Sequence, residues 1–247
     1  MRGRVEDGAD RSIPLSSGRA STDLNSGGRD TALRRSYWRY ALGRAVALAA
    51  LAVAITFSQD HSAIFGLAVF IIFAFVSSVI GFAFVRAAAG IFPPVRILIA
   101  QSVLSVVAAI IAAVLVAADS VGGLGSTAAL SDGSAIRSLL VVLAGWAAIT
   151  GSLEMFLGLR SRGKHPAATD WLSVGAFTML ASLVFVLIPP DFSQEFVGEQ
   201  QVSGVLDSAI VTVGLLGAYA AIAAVFLVIA ALSARWSADA VAPGTPQ

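Results

Sequence analysis

The chain has 247 residues, 57% hydrophobic and 13% charged, with a formal net charge of +1. Soluble domains average about 45–50% apolar and about 25% charged residues. A mean hydropathy of +0.85 therefore excludes an ordinary soluble enzyme, the near-zero charge offers no basis for nucleic-acid binding, and the lack of cysteine excludes disulfides, thiolate catalysis and zinc–thiolate sites.

Residues 1–36 are rich in Arg, Ser, Gly and Asp, with hardly an apolar pair among them. Such a segment buries too little surface to offset its ordering entropy, so a disordered basic tail is expected. Six apolar runs follow, at 41–57, 63–85, 95–118, 138–159, 171–188 and 208–233. A helix needs roughly 20 residues to cross the hydrocarbon; the first and fifth runs are short and would draw on flanking residues. The expected class is an all-α polytopic membrane protein with six transmembrane helices in a domain spanning 37–236. A second disordered tail, 237–247, closes the chain.

Orientation is read from the arginines. Arg34, Arg35, Arg39 and Arg44 precede or enter the first helix, and Arg86 and Arg96 flank the second loop. Arg160, Arg162 and Lys164 fill the fourth, and Arg235 follows the last helix. The alternate loops hold Arg137 and the acids Asp60, Asp119, Asp132, Asp191, Glu195, Glu199 and Asp207. The positive-inside rule therefore places both termini on the cytoplasmic side. Trp38, Trp171 and Trp236 then fall at the cytoplasmic interface, as an aromatic belt requires.

The fourth and sixth helices superpose without gaps. Leu143-Ala-Gly-Trp-Ala-Ala-Ile149 matches Leu216-Gly-Ala-Tyr-Ala-Ala-Ile222 at an offset of 73 residues, with Trp146 over Tyr219 and Arg162 over Arg235. The second helix fits more loosely, with Phe75 set against Trp146. The pattern implies three tandem two-helix repeats, with hairpins at 37–90, 91–164 and 165–236. Units that cross twice share one orientation, which disfavours an inverted-repeat transporter.

Glu154 is the one acid inside an apolar run. An intramembrane charge costs about 2.5–3.5 kcal/mol on insertion scales, which makes it a functional candidate by default. It lies about 9 Å from the basic end of its helix, and Arg44 about 7.5 Å from the same side. Matched depth permits an Arg44–Glu154 ion pair relieving both desolvation penalties. Independent snorkelling of each side chain and a proton- or substrate-handling role are the alternatives. Gln101, Ser105 and Thr150 are candidate polar contacts between helices.

No catalytic, cofactor or metal site is expected. The acids of the fifth loop match no EF-hand spacing, the Gly122-Gly123-Leu-Gly125 patch is neither GxGxxG nor a Walker loop, and His61 and His165 fall on opposite sides of the membrane. Partners are the lipid bilayer and, through small-xxx-small faces such as Ala147/Gly151 and Gly217/Ala221, a second copy or other membrane proteins.

The run Trp146-Ala-Ala-Ile-Thr-Gly-Ser-Leu-Glu-Met-Phe-Leu-Gly-Leu-Arg160 resembles the signature of the HdeD-like acid-resistance membrane proteins. Gly217-Ala-Tyr219 and the turn Leu187-Ile-Pro-Pro-Asp191 are similar to further parts of that family's repeat. The resemblance spans roughly 38–236 and implies a non-enzymatic inner-membrane protein with an accessory role in stress or acid resistance. The first unit lacks the Pro turn, and the second has Asp119-Ser-Val-Gly-Gly in its place. The alternative is a small transporter or channel using Arg44 and Glu154.

Overall fold

The computed structural model describes residues 17–87, 95–122, 132–163, 165, 167–197 and 203–240. Helices α1 (Ser17–Phe57), α2 (Ala63–Ala87), α3 (Val95–Gly122), α4 (Asp132–Arg160), α5 (Ala168–Leu187) and α6 (Ser208–Ala240) form an all-α bundle. All six carry stretches long and apolar enough to cross a membrane, from Arg35–Phe57 to Ser208–Ala238. In lipid every backbone N–H and C=O must be satisfied within the segment, and uninterrupted helices do this. Two boundaries differ from expectation. The first helix begins at Ser17, inside the stretch read as an unstructured tail, because a helix nucleated by its apolar half extends at small cost. The last runs on to Ala240 for the same reason. Residues 1–16 and 241–247 of those tails lie outside the described residues.

Polar residues at the helix ends act as stops and caps. Ser62 and Asp60 start α2: the Ser62 amide donates to Asp60 Oδ1 at 2.8 Å, and the Phe65 amide to Ser62 Oγ at 3.2 Å. Asp207 caps α6 by accepting from the Ile210 amide at 2.8 Å, a side-chain acceptor for an otherwise orphaned N–H. At the end of α5, Ile188 is extended (φ −75°, ψ 118°), as a residue before proline prefers. After α4, Gly163 takes a φ of 71°, where a side chain would be strained.

The stretch read as a plain acidic loop contains a hairpin. Strands β1 (Ser193–Val197) and β2 (Ser203–Asp207) pair antiparallel, with Ser193 opposite Asp207 and Val197 opposite Ser203. The hairpin is seated on the bundle: the Ser208 amide donates to Phe192 O at 3.0 Å, and Ser208 Oγ to Pro190 O at 2.7 Å. Five-residue strands with one apolar pair apiece carry too little alternation to be seen against six apolar helices.

The helices form a closed ring in chain order, with close and loose seams alternating. The close seams are α2–α3, α4–α5 and α6–α1; α1–α2, α3–α4 and α5–α6 are looser, and α2, α4 and α6 also meet near the middle. Packing is therefore tightest between the expected hairpins rather than within them. Small residues explain this. A Cβ at Gly175 would lie 2.6 Å from Met155 N, and one at Gly158 would lie 2.7 Å from Leu172 N. Only glycine lets α4 and α5 approach so closely. On α6, Gly217 accommodates Ile55 of α1 in the same manner.

Two aromatic placements are corrected. Phe75 is 59% exposed on the outside of the ring. Phe73 takes the inward position, edge-on to Trp146 at 5.5 Å. Phe73, Trp146 and Tyr219 are thus spaced 73 residues apart in sequence and line one interior cavity. Trp171 does not face outward from the bundle: it is 2% exposed, stacked on His165 at 4.7 Å and edge-on to Tyr37 at 5.7 Å. The short α5 starts directly under the α4–α5 turn, which draws Trp171 inside. Trp236 is 67% exposed and Trp38 is half-buried.

Candidate functional site

Arg44 on α1 and Glu154 on α4 meet inside the ring. Arg44 Nη2 lies 2.5 Å from Glu154 Oε1. Glu154 is 2% exposed and the Arg44 side chain 14%. Neither snorkels to the end of the bundle. The chain carries each charge inward because the alternative, an ion facing hydrocarbon, costs more than a paired one. Gln101 on α3 joins them, its Nε2 donating to the same Oε1 at 2.6 Å. One carboxylate oxygen thus holds together three helices. Its second oxygen, Oε2, is buried with no hydrogen-bond partner among the described residues.

Aromatic rings surround the cation. Arg44 lies over Tyr40 at 5.6 Å, and Tyr40 is itself stacked on Phe84 at 4.3 Å. The ring quadrupole adds attraction for a desolvated guanidinium. Arg44 and Gln101 face a cavity of about 30 Å³ lined also by Tyr40, Ser77, Ser105 and Tyr219. By the measure of about 10–15 Å³ per water, it has room for about two waters and for no organic solute.

The other polar candidates divide. Ser105 accepts from Trp146 Nε1 at 3.2 Å, linking α3 to α4, and donates to Gln101 O at 3.0 Å. Thr150 is buried, and among the described residues its hydroxyl bonds within its own helix, donating to Trp146 O at 2.6 Å. A hydroxyl in lipid finds the carbonyl one turn back more readily than a distant partner. Two further links between helices come from Thr178 and Ser182, polar residues of the fifth apolar run. Thr178 Oγ1 and Tyr219 Oη share a 2.9 Å bond across α5–α6, and Ser182 Oγ donates to Ala144 O at 2.9 Å. The offset that set Tyr219 over Trp146 was the available signal for the first.

His61 sits between α1 and α2 and His165 follows α4, at opposite ends of the bundle. Nδ1 of His165 accepts from the Ala167 amide at 3.0 Å, so that nitrogen carries no proton. At the acidic end a mouth of about 480 Å³ opens between the starts of α2, α4 and α6, with Asp191 and Asp207 on its rim. Asp207 is engaged there as a helix cap. Among the described residues no three His, Asp or Glu side chains are grouped to hold a metal ion. The glycine-rich patch after Gly122 and residues Glu199 and Lys164 lie outside the described residues.

No family model, no curated protein and no solved structure matches this chain.

Proposed function

We propose that this polytopic membrane protein is a non-enzymatic protein of HdeD-like type. In this reading it resides in a bacterial inner membrane with both termini in the cytoplasm and serves an accessory role in stress or acid resistance. The observation that carries the non-transporting part is the interior site itself. The bundle's buried ion pair is closed on Gln101 and borders a space for about two waters. That arrangement fixes helices and leaves no volume for a solute. The alternating seams and the 73-residue spacing of Phe73, Trp146 and Tyr219 support a threefold repeat of two-helix units. The acid-resistance role rests on the likeness of the Trp146–Arg160 run alone. The test is survival at low pH of a strain deleted for the gene, complemented by the wild type and by Glu154→Gln. Unchanged survival on deletion removes the role.

The second reading is a small proton transporter or channel, and one observation favours it. Glu154 Oε2 is buried and, among the described residues, unpartnered, beside residues that line a water-sized cavity, an arrangement suited to exchanging a proton rather than a solute. A pH-jump assay on liposomes decides between the two. Proton flux that disappears in Glu154→Gln supports the transporter; no flux in the wild type removes it.

A further inference from the structure

At the basic end of the bundle, away from the buried pair, two guanidiniums converge on one indole. Arg39 lies 5.7 Å from the Trp38 ring and Arg235 5.6 Å from the same ring. They belong to α1 and α6, which share a close seam, and Trp38 packs against the core. The indole that anchors both is therefore held by the fold. Among the described residues no carboxylate lies within ion-pairing distance of either. Both arginines are exposed, and so is Arg35, one turn before Arg39 on the same face of α1. Two cations thus share one aromatic ring with no carboxylate beside them among the described residues.

We propose that Arg39, Trp38 and Arg235 form a binding site for the phosphate headgroup of an anionic phospholipid. Depth selects a lipid over a soluble partner. Arg39 and Arg235 stand within one turn of the outer ends of spans Arg35–Phe57 and Ser208–Ala238, where headgroups lie. Trp236, next to Arg235, is exposed at that level, and indoles favour the interface. Basic groups between helix ends recognise anionic headgroups, and a guanidinium matches phosphate with two parallel donors.

The test uses the full chain purified in mild detergent and titrated with phosphatidylglycerol or phosphatidylcholine, with bound lipid counted by native mass spectrometry. Each basic group near a membrane surface contributes about a fivefold gain in anionic-lipid affinity. Arg39→Gln/Arg235→Gln is expected to weaken phosphatidylglycerol retention about 25-fold and to leave phosphatidylcholine unchanged. If the double variant does not fold, the single variants carry the test at about fivefold each. Arg160→Gln/Arg162→Gln removes the same charge elsewhere on the basic end and is expected to change retention less. Any of three results overturns the proposal: equal retention of both lipids by the wild type, equal loss in the two double variants, or full displacement of the lipid by millimolar inorganic phosphate.

Discussion

Removing one member of the Arg44–Glu154 pair leaves the other buried without a counter-charge. Glu154→Gln keeps the side chain's shape and a carbonyl acceptor for Gln101, so the loss isolates the charge. Breaking a buried pair costs about 3–5 kcal/mol. Arg44 is 14% exposed and borders a water-sized cavity, which places the cost at the lower end, about 3 kcal/mol or about a hundredfold in the folded-to-unfolded ratio. Arg44→Gln is expected to lose a similar amount. The double variant removes both charges and is expected to lose about 2 kcal/mol, well short of the sum for independent sites. Unfolding in mixed detergent–denaturant micelles, followed by helical circular dichroism, measures all four corners of the cycle. Losses that add in the double variant refute the pairing argument. The charge reversal Arg44→Glu/Glu154→Arg, recovering expression that both single reversals lose, is an independent check.

Further outcomes follow from the geometry. Gly175→Ala forces a Cβ to within 2.6 Å of Met155 N and is expected to cost about 1–3 kcal/mol by overpacking; Gly145→Ala, with open space around it, is expected to be neutral or to stabilise by up to about 1 kcal/mol, in the same micelle assay. Asp207→Ala removes the cap of α6 and is expected to cost about 1 kcal/mol, read as faster hydrogen exchange at the Ile210 amide. Trp146→Phe keeps the edge-on ring contact with Phe73 but loses the bond to Ser105, an expected loss of about 0.6 kcal/mol. Ser77→Val fills part of the central cavity: a dry void would give about 0.8 kcal/mol of stabilisation per buried methylene, whereas expelling water from beside Arg44 and Gln101 is expected to destabilise by about 1–3 kcal/mol, so the sign of the change reports whether the cavity is hydrated.

The spans were legible because each is an unbroken apolar run, and five of the helices end within a few residues of where those runs do. Arg44 and Glu154 stood out for the complementary reason: a charge inside such a run is rare, and equal depth from one end limits its partners. What could not be read was which face of each helix turns inward. A helix apolar all round has no stripe to reveal its core side, so Phe75 and Phe73, two residues apart, were indistinguishable, and Tyr40 gave no sign that it lies under a guanidinium. Nor could the sequence show that the Thr150 hydroxyl bonds within its helix, since the Trp146 carbonyl one turn back was as available as any neighbour. Nor did chain order reveal that the seams within hairpins are the looser ones. That depends on where Gly151, Gly158 and Gly175 fall in space, and small residues are too common in this chain for their spacing to decide it.

The position of the ion pair relative to those seams accounts for its depth. In a bilayer, lipid tails are as apolar as leucine, so burying one more apolar side chain between helices gives almost no preference for one arrangement over another. Small residues zip α4 to α5 and α6 to α1, but they act only between neighbours in the ring. Arg44 and Glu154 belong to α1 and α4, which are not packed neighbours, and Gln101 reaches the same oxygen from α3, whose seam with α4 is a loose one. The polar network therefore spans the ring where small-residue packing does not, and it has directional bonds that fix one register of α1 against α4. A hydrophobic replacement would fill the space and remove the desolvation cost, yet it would leave those helices free to slide or turn relative to one another.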